Sequence, residues 1–179
     1  MNKEVDVFDY AGTITQTLGK GILLTTKAGD TVNTMTIGWG MLGVEWGKPV
    51  FIALIRKSRF TKQLLEQNPE FTVNIPYGNA QPKITAYCGV KSGKEVNKIE
   101  ALGLTLTQPQ TIHVPGIKEL PLTLECKVIY KQEQDPAAIP LAERQRFYPQ
   151  DVDGSCPGAN REYHILYHGE IVDAYLIED

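Results

Sequence analysis

The chain has 179 residues and a formal net charge of −3, from 18 Lys and Arg against 21 Asp and Glu. A chain of this length corresponds to about one domain, which buries roughly 70% of its surface on folding and needs neither disulfides nor metal for its core. The acidic balance argues against a general nucleic-acid binder or a protein of acidic membrane surfaces, which would carry an excess of basic residues.

The first part of the chain predicts strands separated by turns. Residues 22–26 and 31–39 are rich in apolar and β-branched side chains and flank turn residues 28–30, which predicts a β-hairpin. The continuous apolar run 50–55 predicts a strand buried on both faces. Residues 59–67 predict a helix that Pro69 ends.

The second part predicts one more helical stretch among longer strands. Residues 71–76 alternate as a strand, and residues 79–102 form a helical pattern broken by glycines. Residues 122–132 predict a long half-exposed strand, residues 135–158 a loop or excursion rich in proline and charge, and residues 163–177 the last strand. These elements, with 16 Gly and 11 Pro, predict a mainly β fold, an antiparallel β-barrel with helical insertions, as a single domain over residues 1–179.

Two motifs resemble known sites, but their surroundings argue against that chemistry. Residues 38–43 match G-x-G-x-x-G, yet Gly47 and Pro49 would break the helix that a dinucleotide site needs, so a glycine-rich strand end is expected. His164 and His168 have a metal-like spacing, but on a strand they lie about 13 Å apart and cannot share one ion. We therefore predict no metal site.

Residues 56–62 carry the strongest sign of a ligand. The run Arg-Lys-Ser-Arg-Phe-Thr-Lys lies where a buried strand becomes a helix, and cations at a helix start oppose the local dipole. With Ser58 as the expected N-cap and Thr61 as a further hydroxyl, unopposed cations and free N–H groups predict an anion site that suits a phosphate monoester. The alternative is a solvated basic face.

Residues 33–39 form a second candidate segment. Its amide, hydroxyl, methionine and tryptophan side chains suit a planar heterocycle, which needs hydrogen bonds along one edge and flat apolar contact on its face. The alternative is a hairpin with a buried tryptophan. Because the two segments flank one connection between strands, a single ligand can place its ring at the first and its phosphate at the second.

Six motifs occur in the order found in the flavin reductase-like, FMN-binding split-barrel family, which includes the flavoredoxins. They are Asn33-x-Met-Thr-Ile-Gly-Trp39, Arg56-Lys-Ser-Arg-Phe-Thr61 after the apolar strand, Phe71-x-Val-Asn-Ile-Pro76, Cys88-Gly-Val-Lys-Ser-Gly93 with Lys98, Leu124-Glu-Cys-Lys127 and His168-Gly-Glu-Ile-Val172. The chain resembles this family over nearly its whole length. The resemblance implies a Greek-key antiparallel split barrel and a homodimer with FMN near the subunit interface.

The resemblance also implies which residues hold the cofactor. The expected FMN-binding residues are Asn33, Met35, Thr36, Ile37, Trp39, Arg56, Lys57, Ser58, Arg59, Thr61, Ser92 and Lys98. Asn33, Thr36 and Trp39 line the isoalloxazine ring, and the phosphate lies on residues 56–61. No catalytic residue is identified; His164 is a candidate for the nicotinamide or substrate side, and the alternative is an ordinary half-exposed strand histidine.

Three hypotheses of function follow from this reading. The first is an NAD(P)H-dependent flavin reductase in which the nicotinamide passes a hydride to FMN, because a flavin needs only orientation and electrostatics from the protein. The second is an electron carrier that holds FMN and exchanges electrons with a redox partner protein. The third is a split barrel that holds another flat or phosphorylated ligand, such as pyridoxal phosphate or haem.

The ends and the cysteines suggest a reducing compartment. The first residues contain no apolar run, and no segment approaches the ~20 apolar residues of a spanning helix, so we expect neither a signal peptide nor a membrane partner. Cys88, Cys126 and Cys156 are far apart and odd in number, which favours buried free thiols over disulfides or a metal site. The expected location is the cytoplasm.

Overall fold

The computed structural model describes residues 2–178, and within that range the chain forms ten strands and five α-helices. The strands are β1 (Asn2–Glu4), β2 (Ile22–Ala28), β3 (Thr31–Ile37), β4 (Gly40–Glu45), β5 (Lys48–Arg56), β6 (Glu70–Ile75), β7 (Leu106–Thr107), β8 (Gly116–Ile117), β9 (Leu122–Glu133) and β10 (His164–Ile177). The helices are α1 (Ala11–Leu18), α2 (Phe60–Leu65), α3 (Pro82–Val90), α4 (Lys98–Leu102) and α5 (Leu141–Phe147), and Val7–Tyr10 and Pro136–Ala138 are short 3-10 turns.

One antiparallel sheet dominates the fold and curls into a split barrel. Its strand order is β3-β2-β6-β9-β10-β5-β4, with β1 added on β10. The two ends of this order, β3 and β4, are consecutive in the chain and joined by Gly38 and Trp39 alone. The sheet must therefore curl until its two edges meet, and the seam between them is bridged by this connection. The chain crosses from β5 to β6 through α2, which makes the connectivity a Greek key, as predicted.

The main strands lie where the sequence pattern predicted them. The β2–β3 hairpin turns at Gly29, whose φ of 55° is in the left-handed region that glycine adopts without strain. Strand β10 pairs with β5 on one side and with β9 on the other, and His164 lies opposite Arg56 at the start of this register. This pairing brings the start of β10 to the end of β5.

The barrel core lies inside the curled sheet, and a smaller core lies outside it. Ile22 and Leu24 of β2 point into the main core, whereas Leu23 between them packs with Cys88 and Leu120 in the second cluster. Strand β2 is therefore buried on both faces, because α3 and residues 103–121 cover the outer side of the sheet.

Several sequence-based boundaries and burial patterns were wrong. Helix α2 is shorter than predicted, and Ser58 is not its N-cap: Arg59 takes that position with an extended backbone and no side-chain cap bond. The excursion at 135–158 is not only a loop, because it contains α5. Strand β5 is not buried throughout, since Ile52 and Leu54 are half-exposed, and β9 is buried on both faces in its first five residues.

The structure also shows the state of the three cysteines and the character of the helices. Cys88 and Cys126 are buried free thiols and Cys156 is half-buried, and the pKa of Cys88 is raised by burial to about 11. Among residues 2–178, no helix has the length and hydropathy to cross a membrane.

Candidate functional site

Two adjoining cavities open beside the seam of the barrel. The first, here called the aromatic cavity, has a volume of about 320 Å³ and is lined by residues 35–39, by side chains of β5, by His164, and by Phe147 and residues 157–159 of the excursion. The second, here called the polar cavity, has a volume of about 450 Å³ and is lined by residues 58–61, by residues 88–95 and by Lys98. Met35, Thr36, Arg59 and Pro157 line both, so the cavities form one continuous cleft.

The two candidate segments from the sequence meet in this cleft. Of the twelve residues expected to bind the cofactor, all except Lys57 line one cavity or both. Residues of 33–39 form the floor along β3, and residues of 56–61 form one wall. The candidate His164 lines the aromatic cavity.

Lys57 lies outside the cleft, and the cations of its segment are not unopposed. The Lys57 ammonium contacts Glu133 at 2.5 Å on the exposed surface, where half of the lysine side chain remains accessible. The Lys62 ammonium likewise pairs with Glu66 at 2.8 Å. Arg56 and Arg59 are therefore the members of the run that bring positive charge to the cavities.

Trp39 forms the aromatic end of the cleft. Its ring centroid lies 5.1 Å from that of Phe147, in an edge-to-face arrangement, and 5.1 Å from that of His164. The tryptophan is 38% exposed, which is unusual for so large an apolar side chain. A flat apolar surface is thus held in place by its neighbours while remaining open to a ligand.

A chain of hydrogen bonds fixes His164 behind this surface. The Arg56 guanidinium donates from Nε to His164 Nε2 at 3.3 Å, and Tyr148 Oη lies 2.9 Å from His164 Nδ1. Because Nε2 accepts, the proton of the neutral ring is assigned to Nδ1. Burial, together with the positive charges of Arg56 and Arg59, lowers the pKa of His164 to about 3. His164 is therefore neutral at physiological pH and holds Trp39 and Arg56 in position.

The neutrality of His164 is testable by NMR. In a titration from pH 5 to pH 8, we expect its imidazole nitrogen signals to keep the positions of a neutral ring protonated at Nδ1. The reason is that protonation would place a cation beside Arg56 and Arg59 in a buried site. A titration midpoint near the ordinary value of 6.5 would contradict this assignment.

Close packing shapes the polar cavity around Asn33. The buried Asn33 amide donates to the Thr61 hydroxyl at 3.0 Å, which ties β3 to α2. Gly93 lies against this amide: a Cβ atom added there would meet Asn33 Oδ1 at 2.0 Å and Phe60 at 2.9 Å. Glycine at this position lets the 91–95 loop approach the floor of the cavity.

Gly93→Ala is expected to destabilise the protein by about 1–3 kcal/mol, because the added methyl must displace the buried Asn33 amide. Thermal or denaturant unfolding measures this. The matched control is Gly89→Ala, which also changes the wall of the polar cavity but places its Cβ at an ordinary 3.5 Å from Thr36. The control should be neutral or slightly stabilising because Gly89 lies in α3. Equal losses in the two variants would refute this packing argument.

Lys98 adds a buried amine to the wall of the polar cavity. Its side chain is 4% exposed, and Nζ donates to the carbonyl oxygens of Thr34 at 2.8 Å and Cys88 at 3.1 Å. Burial lowers the pKa of Lys98 to about 8, so the amine is mostly protonated at neutral pH. A buried cation with only carbonyl partners favours an anionic group nearby.

Sequence reasoning missed the walls that the excursion supplies. Phe147 and residues 157–159 close the aromatic cavity, and Ser155 reaches the polar cavity. Lys91 and Lys94 also line the polar cavity and were not among the predicted binding residues, because nothing in their local spacing distinguishes them from other surface lysines. No local spacing indicates that the excursion folds back over the cleft; that follows from the pairing of β10 with β5.

Comparison with known proteins points to the family that the sequence motifs resemble. Residues 18–179 match the model of the flavin reductase like domain. An uncharacterized protein of Archaeoglobus fulgidus is 33% identical over 101 residues, which cover 56% of this chain and 56% of that protein. An uncharacterized Escherichia coli protein, YddH, is 30% identical over 54% of this chain and 51% of its own length. This chain thus spans about half the length of these curated relatives.

Solved structures share the fold. The flavoredoxin from Methanosarcina acetivorans superposes with a TM-score of 0.64 and 26% identity, over 88% of this chain and 68% of that one. The FMN-binding domain of a flavin reductases-like enzyme from Shewanella baltica has a TM-score of 0.65 and 19% identity, over 98% of this chain and 77% of that one. The second likeness concerns the fold alone.

Proposed function

Because the chain belongs to the flavin reductase-like domain family, we propose that it binds FMN in the cleft beside the barrel seam. The proposal rests on the shape of this cleft. An aromatic cavity and a polar cavity join there, and Met35, Thr36 and Arg59 line both. FMN has the same division, with a flat ring at one end and a phosphate at the other. Each cavity volume falls within the roughly 300–1,000 Å³ of small-molecule sites.

The residues of the cleft fit FMN in chemistry as well as in size. At the polar end, the Arg59 guanidinium and the hydroxyls of Ser58, Thr61 and Ser92 are suitable donors to a phosphate. At the other end, Trp39 and the aliphatic side chains of β3 and β5 offer apolar contact to the ring. Pyridoxal phosphate would use the polar end but leave much of the aromatic cavity unfilled, and haem brings no phosphate for Arg59.

The protein's own residues bind and orient, and they exclude water. FMN held in this cleft would supply the redox chemistry, that of hydride exchange with a nicotinamide. Trp39, Phe147 and Leu54 line the aromatic cavity with apolar surface, from which a bound ring would displace water. Lys98 keeps a positive charge at the wall, which favours negative charge in the cleft. No side chain needs to act as a general acid or base, in accord with the neutral, fully engaged His164.

The proposed activity is that of an NAD(P)H:flavin oxidoreductase. The test follows NADH and NADPH oxidation by the purified protein with excess free FMN. Steady turnover supports the reductase. Stably bound FMN without turnover supports the second candidate, an electron carrier, which the 26% identity to a flavoredoxin favours. Absence of both flavin binding and turnover overturns both.

We also propose that two copies of the chain associate as a homodimer. Met41, Trp46 and Tyr130 are 46%, 68% and 41% exposed on β4, its following turn and β9. Trp46 contacts Tyr130, with ring centroids 6.3 Å apart, and together they form an exposed aromatic surface of the kind enriched at interfaces. Sedimentation velocity is expected to give a dimer at micromolar concentration, and a monomer with FMN bound would contradict it.

A further inference from the structure

The segment that joins the excursion to β10 places a carboxylate of the protein itself, that of Glu162, at the donors of the polar cavity. The backbone N–H of Ser58 donates to Glu162 Oε2 at 2.9 Å, and the Ser58 hydroxyl donates to the carbonyl oxygen of Gly154 at 3.2 Å. The Glu162 side chain also packs against Gly154, where a Cβ would meet it at 2.8 Å. Both hydrogen-bond donors of Ser58 are thus already engaged by residues 154–162.

Arg59 is engaged by the same segment. Its guanidinium donates to the carbonyl oxygens of Cys156 at 3.1 Å and Pro157 at 3.5 Å. Burial lowers the pKa of Arg59, and the negative charge of Glu162 opposes that lowering. The Glu162 carboxylate therefore places a negative charge of the protein itself near the guanidinium that would face a phosphate.

We propose that Glu162 is an internal competitor for the phosphate-binding donors and keeps FMN exchangeable. The inference rests on the proposed function, because it concerns how FMN binds in the same cleft. A phosphate must take the donors of Ser58 and Arg59 from residues 154–162, and the Glu162 carboxylate, which accepts from the Ser58 N–H, opposes a second negative charge there. The competition acts on the phosphate alone, so it weakens FMN binding and leaves riboflavin, which lacks the phosphate, unaffected. Such an arrangement suits a protein that uses FMN as an exchanging substrate.

The test compares FMN and riboflavin affinities in Glu162→Gln and in wild type, by titration of flavin fluorescence. Glutamine keeps an oxygen that accepts from the Ser58 N–H but removes the charge. We expect the Kd for FMN to fall about fivefold and the Kd for riboflavin to stay constant, because charged hydrogen bonds are about twice as strong as neutral ones. The control is Asp151→Asn, the same charge change on an exposed carboxylate of the excursion, which should alter neither Kd.

The outcomes are distinct. An unchanged or raised Kd for FMN in Glu162→Gln, or equal changes for FMN and riboflavin, would overturn the competition while leaving the FMN site intact. Failure of the wild type to bind either flavin would instead overturn the proposed function.

Hydrogen exchange of the wild-type protein gives a second measurement that needs no variant. We expect FMN to accelerate amide exchange in residues 155–162, because the phosphate removes the anchors of this segment at Ser58 and Arg59. Riboflavin should not have this effect. Slower exchange in these residues with FMN would mean that the segment closes over the phosphate, and would overturn the proposal.

Discussion

Replacing Arg59 with alanine is expected to weaken FMN binding by about 1.5–3 kcal/mol, which raises Kd roughly 10- to 150-fold. This is the usual contribution of a hydrogen bond to a charged group, and Arg59 is the guanidinium that lines both cavities. The measurement is a fluorescence titration with FMN, accompanied by thermal unfolding to establish that the variant is folded.

Lys57→Ala is the matched control for Arg59. It removes a cation two residues away, but that cation pairs with Glu133 outside the cleft. Its Kd for FMN should stay within about twofold of wild type, because a distant exposed charge is screened by salt. If the two variants lose the same affinity, binding depends on the net charge of the segment, and the cleft does not hold the phosphate.

Lys98 is expected to make the stability of the protein rise with pH between about 8 and 10.5. The buried amine loses its proton near pH 8 in the folded protein, whereas the unfolded chain keeps it up to its usual 10.5. Within this window the unfolded state binds more protons, so the free energy of unfolding increases with pH. At 1.36 kcal/mol for each pKa unit, the increase amounts to about 3 kcal/mol.

The Lys98 contribution is isolated by comparing wild type with Lys98→Met in denaturant unfolding at pH 7 and pH 10.5. Other groups titrate in this range, but they are common to both proteins and cancel in the difference. The free energy of unfolding of wild type should gain about 3 kcal/mol relative to the variant between the two pH values. Parallel pH profiles would show that Lys98 has an ordinary pKa and is not confined by the carbonyls of Thr34 and Cys88.

Local patterns predicted much of the barrel. The glycine turn at Gly29 and the alternating apolar residues of β9 and β10 are encoded by neighbouring residues, so their positions followed from the sequence. Strand β4 was harder to predict, because Gly40 and Gly43 dilute its apolar pattern. Helix α5 was missed because it lies in a stretch where proline and charge dominate.

The candidate site could likewise be predicted only in part from the sequence. Arg59 and Lys57 are two residues apart and chemically alike, and only the fold shows that one lines the cleft while the other contacts Glu133. The pairing of His164 with Arg56 joins residues 108 positions apart, so no spacing predicts that the histidine is locked in its neutral form. The contacts of Glu162 with Ser58 arise from the same long-range pairing.

Whether the cleft holds FMN is decided by flavin binding to the purified chain. The protein is mixed with excess FMN, passed through a desalting column, and examined by absorption spectroscopy and by equilibrium titration. We expect a perturbed flavin spectrum and saturation at one FMN for each chain, and we expect Arg59→Ala to bind FMN far more weakly than Lys57→Ala does. An unperturbed FMN spectrum with no saturable binding would contradict this expectation.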